Sequence, residues 1–214
     1  HPYIYRTTDF GKTWTLITTG LHENVYTRCV REDPNRKGLL YAGTETGVNV
    51  SFDNGDHWQP FQLNLPVTPV HDLQVKKDLQ ELVIATHGRA FWVLDDLTPL
   101  YQISDSITHA DAWLYQPRTS IRMDGKQVDP TSEAGMKLME GTNAPNGVIV
   151  NYYLKHKPKG ELKLEFFTAN GDSIITFSNV TDKFGNPLKM KKEFYEDPKQ
   201  KPDILPVDSG MNRF

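Results

Sequence analysis

Three clusters in this sequence carry the side chains best suited to chemistry. "TTDFGKTW" (Thr7–Trp14) sets the carboxylate of Asp9 two residues after the Thr7 hydroxyl, ahead of Gly11 and Trp14. "SFDNGDHW" (Ser51–Trp58) returns the pattern with Ser51, Asp53, Gly55 and Trp58. "ATHGRAFWVLDD" holds His87, Arg89 and the pair Asp95-Asp96, and His71-Asp72 precedes it. Carboxylates can act as acid, base or nucleophile at a glycosidic bond, usually as a facing pair. Carboxylate loops can hold calcium. An imidazole can titrate or ligate metal near neutral pH. A guanidinium can grip a carboxylate with two parallel hydrogen bonds.

Each possibility competes with a structural one. A calcium loop wants about 6–8 oxygen ligands, whereas "DFGKTW" offers one acid and "DNGDHW" two. A catalytic acid gains nothing from being copied. An Asp opening a tight turn can instead accept backbone N–H groups two and three residues on. Gly11 then supplies a positive φ, Thr7 or Ser51 ties its hydroxyl to the turn, and Trp14 packs between neighbouring sheets. Asp95 and Asp96 are strand neighbours that point to opposite faces, which argues against joint catalysis. His71 and His87 are possible ligand contacts but lack a third metal ligand at a telling spacing. Arg89 either holds a ligand or pairs with an acid of the fold. No metal site and no cofactor is expected.

The elements around these residues read as short strands. "PYIYRTT", "NVYTRCV", "GLLYAG", "GVNVSF", "ELVIAT" and "AFWVLDD" are rich in β-branched and aromatic residues and bounded by turn formers. Asp9 and Asp53 lie 44 residues apart. A gapless match of "LYAGTETGVNVSFD" to "VIATHGRAFWVLDD" sets Tyr41 on Ile84, Val48 on Phe91 and Val50 on Val93, and brings Asp96 to the Asp position 43 residues after Asp53. Asp96 thus reads as a degenerate third box, without the following Gly and Trp. A period near 44 with about four strands points to a β-propeller blade.

The chain has 214 residues and a formal net charge of -3 with both signs mixed, so neither nucleic acid nor an acidic partner tail is indicated. Its single cysteine, Cys29, precludes an internal disulfide. No apolar run nears the ~18 residues that span a membrane. Residues 106–146 read as linker and polar loop. From Gly147 a second β pattern begins, and "GELKLEFFTANGDSIITFSN" forms a hairpin around Asn170-Gly171.

The spacing S/T-x-D-x-G-x-x-W, with the run from "VREDPNRKGLLYAG" to "VIATHGRAFWVLDD", resembles the Asp-box (BNR) repeats of sortilin-like β-propeller proteins, including bacterial ones labelled as glycosyl hydrolases. "EGTNAPNGVIVNYYLK" and "GMNRF" resemble the C-terminal sandwich of the same family. The resemblance implies an all-β chain: the last two to three four-stranded blades over 1–105, then an incomplete Ig-like sandwich over 147–214. It implies an extracytoplasmic, non-catalytic propeller piece that binds a protein or glycan. The alternative is part of a glycoside hydrolase whose catalytic residues lie mainly in upstream blades. Two and a half blades do not close a ring of at least ~4. The expectation is therefore a piece of a longer protein, paired with its remaining blades, or a chain that pairs its edges with another copy.

Overall fold

The computed structural model describes residues 1–120, 147–181 and 204–214. They form an all-β fold of several antiparallel sheets with no closed barrel. Two compact units are present, His1–Tyr101 and Gln102–Phe214.

The first unit holds β1 (Tyr5–Arg6), β2 (Thr15–Leu16), β3 (Thr27–Glu32), β4 (Leu40–Thr44), β5 (Val48–Ser51), β6 (Gln59–Pro60), β7 (Val70–Lys76), β8 (Glu81–Thr86), β9 (Phe91–Leu94) and the start of helix α1 (Thr98–Gln102). Three sheets result, each antiparallel in sequence order: β1-β2, β3-β4-β5-β6 and β7-β8-β9. The alternating pattern of strands dictates that each sheet has two faces. On the middle sheet both are covered. Leu40, Ala42 and Trp58 pack on Ile4, Ile17 and Leu21 of the first hairpin. Leu39, Tyr41, Val48 and Val50 pack the other way, on Val70, Leu73, Leu82 and Ile84 of the third sheet.

Strand registers correct the gapless repeat. Tyr5↔Leu16 and Asn49↔Pro60 keep the 44-residue offset. However, Ala42↔Asn49 matches Ile84↔Trp92, so Ala42, not Tyr41, is the counterpart of Ile84. Burial agrees, because Ala42 and Ile84 each face the preceding sheet whereas Tyr41 faces the following one. The physical cause is a pair of length changes. Seven residues (33–39) join the pairs Glu32↔Leu40, and six (76–81) join Val75↔Leu82. Four residues (44–47) then join β4 to β5 beyond Gly43↔Val48, and five (86–90) join β8 to β9 beyond Ala85↔Phe91. A threonine opens both loops: Thr44 donates to the Gly47 carbonyl at 2.9 Å and Thr86 to that of Ala90 at 2.6 Å. β3 and β7 also bulge at matching places, around Arg28 and His71.

The second unit holds α2 (Asp105–His109), β10 (Ala112–Leu114), β11 (Asn151–Leu154), β12 (Lys163–Phe167), β13 (Ser173–Ser178) and β14 (Gly210–Arg213). One sheet runs β10-β11-β14, and β12-β13 forms the hairpin. β10 lies inside the stretch expected to be linker and pairs with β11. Gly171 turns the hairpin at φ 89°. Val150, Tyr152 and Leu154 form its core with Leu164, Phe166 and Phe214. The rest of the expected linker, 121–146, lies outside the described residues, as does 182–203.

Candidate functional site

The two boxes fold to the same hydrogen-bond set. The Thr7 hydroxyl donates to Asp9 Oδ1 at 2.9 Å and accepts the Gly11 N–H at 2.8 Å. Ser51 repeats both at 2.8 Å, toward Asp53 Oδ1 and from the Gly55 N–H. The strongest backbone bonds to the carboxylates come from four residues on, Thr13 at 2.9 Å and His57 at 2.9 Å, with a lesser contribution at Asp9 from the Lys12 N–H three residues on. The second carboxylate oxygen takes the Thr13 hydroxyl at 2.7 Å in one box and meets the His57 imidazole at 2.6 Å in the other. Phe10-Gly11 and Asn54-Gly55 carry positive φ throughout, 59° and 86° in one box, 59° and 90° in the other. Both oxygens of each carboxylate are therefore held by the turn itself.

Electrostatics follow that geometry. The hydroxyl and N–H of Thr13 hold the Asp9 carboxyl below the usual carboxylate range. Burial pushes Asp53 upward, but the bonds from His57 and Ser51 outweigh it, and its pKa also falls below the ordinary value. Arg6 of the first hairpin grips the second box, donating to the Asn54 carbonyl at 2.6 Å and pairing with Asp56 at 2.8 Å.

The tryptophans diverge. Trp58 is 4% exposed, and its indole N–H reaches the Ile17 carbonyl at 2.8 Å. Trp14 remains 60% exposed and bonds within its own box, to the Gly11 carbonyl at 3.2 Å. The expected packing of Trp14 between sheets is not what the structure has, because among the described residues no sheet lies on the matching face of the first hairpin. Asp96 departs from the box geometry. Its Oδ1 accepts the N–H of Thr98 at 2.9 Å and the Thr98 hydroxyl at 2.7 Å, at the start of α1. A box turn needs a glycine in the left-handed region, and Thr98 stands where Gly55 would recur.

At the sheet ends away from the boxes, His71 and His87 come together, with ring centroids 5.0 Å apart and stacked at 28°. Both are exposed. The bulge at His71 in β7 turns one ring toward the loop that carries the other. Arg89 lies in that loop, where its N–H donates to Thr86 at 3.1 Å and its carbonyl accepts the Trp92 indole at 2.8 Å. Asp72 is engaged by Arg31 at 2.7 Å. Among the described residues no group of three or more His, Cys, Asp or Glu is placed to hold a metal ion. Phe91 and Trp92 split between the two faces of β9, Phe91 being 77% exposed and Trp92 packed against the core.

The same end of the molecule holds a cleft of about 340 Å³ that the motifs did not indicate. It lies between the 20–25 connection and β5, and its lining includes His22, Thr46, Asn49 and Gln62 with the apolar Leu21 and Val48. Gln62 lines it and donates to the carbonyls of Leu65 at 2.9 Å and Pro66 at 3.0 Å in its own loop. Gly47 has φ 148° there, a backbone conformation that favours glycine. The one sequence signal was Asn49 itself, a polar residue at a repeat position that holds Tyr5 in β1 and Trp92 in β9.

No family model matches the chain, and no match to it was found among curated proteins or solved structures.

Proposed function

We propose that this chain is a non-catalytic β-propeller piece of the sortilin-like, Asp-box type, with an Ig-like module after it, that binds a protein or glycan in an extracytoplasmic setting. The observation that carries the reading is the closed hydrogen-bond set of the boxes. Asp9 and Asp53 have both oxygens committed to backbone and side-chain donors of their own turns. A carboxylate so held is a poor proton donor or nucleophile, and the repetition serves architecture. The four-stranded middle sheet and its two covered faces support the blade reading. The contact surface in this reading is the opposite end, where the 44–47 and 86–90 loops, His71, His87 and Arg89 are displayed on rigid strands.

A glycan array and a peptide library, screened beside a panel of aryl glycosides, test the reading on the protein at its full natural length. Binding without turnover is expected. Hydrolysis of any aryl glycoside would transfer the protein to the hydrolase alternative.

A further inference from the structure

The spaces between successive sheets are built alike but filled differently. Between the middle and third sheets, Trp92 points back from β9 and packs against the shared core. Its indole N–H donates to the Arg89 carbonyl of the preceding loop at 2.8 Å. The register makes Asn49 the counterpart of Trp92, since Ala42↔Asn49 corresponds to Ile84↔Trp92. Asn49 faces the first hairpin, and there the cleft of about 340 Å³ opens. An indole is thus present in one gap and replaced by a short carboxamide in the other.

We propose that this cleft is a binding site for a tryptophan side chain of an uncharged peptide segment, seated where Trp92 sits one repeat later. This deepens the reading of the chain as a binding module and rests on it. Three features carry the assignment. The apolar walls, Leu21, Val25 and the prolines Pro2 and Pro60, suit an aromatic ring. The polar groups on the cleft come from residues without a fixed charge. Asn49 supplies a carboxamide that offers both a donor and an acceptor. His22 uses Nδ1 to accept the Asn24 N–H at 3.3 Å, which leaves Nε2 for a ligand. Finally, the carbonyl that matches that of Arg89 belongs to Thr46, a residue of the cleft lining, and among the described residues it is met by Gln62 Nε2 at the long distance of 3.4 Å. The ligand indole N–H donates to that carbonyl, as the Trp92 indole does to Arg89. A charged side chain would enter against uncompensated desolvation. A neutral sugar would find no Trp, Tyr or Phe face to stack on, because the lining has none of these.

The test is titration of the ¹⁵N-labelled protein with N-acetyl-tryptophanamide, beside N-acetyl-leucinamide and methyl β-glucoside. The expected result is saturable movement of the Asn49 and Gln62 side-chain amides, with a dissociation constant on the order of 1 mM for so small a ligand. Leucinamide should bind at least ~3-fold more weakly for its smaller buried area. Asn49→Trp fills the cleft from within and should weaken binding by more than ~10-fold, an effect of the size expected when a ring-sized site is lost. Asn49→Tyr, the residue type of β1, provides a second variant should the first disturb folding. Three results would overturn the proposal: unmoved Asn49 and Gln62 amides, unchanged binding in both variants, or tighter saturation by the glucoside. The broader reading as a binding module falls only if the array and library screens are also negative.

Discussion

At the residue scale, position within the stack decides how much an identical motif contributes. Trp58 and Trp14 close equivalent turns, yet one is buried and the other open. Trp58→Ala should therefore cost about 3–5 kcal/mol, the range for a buried tryptophan. Trp14→Ala should remain within about 0.5 kcal/mol, and urea denaturation of both variants checks the contrast. The box carboxylates set an acid limit. Both Asp9 and Asp53 have folded pKa values depressed by hydrogen bonds. Their contribution is fully present above the unfolded carboxylate value of about 3.9 and is lost as pH falls through the lower folded values. Amide shifts of Thr13 and His57 should therefore be insensitive to carboxylate protonation down to about pH 4 and move together below it. The box was legible in sequence because every residue type in it has a local job. The difference between Trp14 and Trp58 was not, because it depends on which sheet lies opposite.

At the element scale, turns and loops govern the fit of the strands. Gly55 and Gly11 both have positive φ, but a Cβ on Gly55 would lie 2.5 Å from Ile17 Cδ1, and on Gly11 no closer than 3.8 Å from Trp14. Gly11→Ala then carries only the backbone cost, about 1–2 kcal/mol. Gly55→Ala adds a clash with the first hairpin and should lower the melting temperature further, by differential scanning calorimetry. The strands themselves were readable from alternation and turn residues, and so was the β12-β13 hairpin around Asn170-Gly171. Strand register was not. The gapless comparison matched like with like in hydrophobicity, since Tyr41 and Ile84 are both apolar, and so missed that they face opposite ways. The cleft escaped for a related reason: Asn49 looks like an ordinary polar strand residue until register pairs it with Trp92.

At the scale of the whole molecule, Cys29 offers a natural reporter. It packs against the seam between the middle and third sheets, where Gly43 and Val70 also meet it. Burial raises its thiol pKa, with a nearby Asp72 adding to the effect. Iodoacetamide at pH 8 should modify the native chain more than ~10-fold more slowly than the urea-unfolded chain, because both access and thiolate are limited. A variant that loosens the seam should close that difference, which mass spectrometry can follow. The all-β character was legible from turn spacing and composition; the strand contributed by Ala112–Leu114 was obscured by its shortness and by the polar residues that surround it. The turn before β8 is one residue shorter than its counterpart and the loop after it one residue longer. In the idiom of genetics, β8 carries a frameshift together with its suppressor. Each change alone would invert the inside and outside of a strand, since side chains alternate with period 2; together they restore phase by β9. Insertions and deletions in these sheets should accordingly be tolerated as matched pairs that flank a strand, and a screen for second-site revertants of a one-residue deletion in the 33–39 turn would find them in the 44–47 loop.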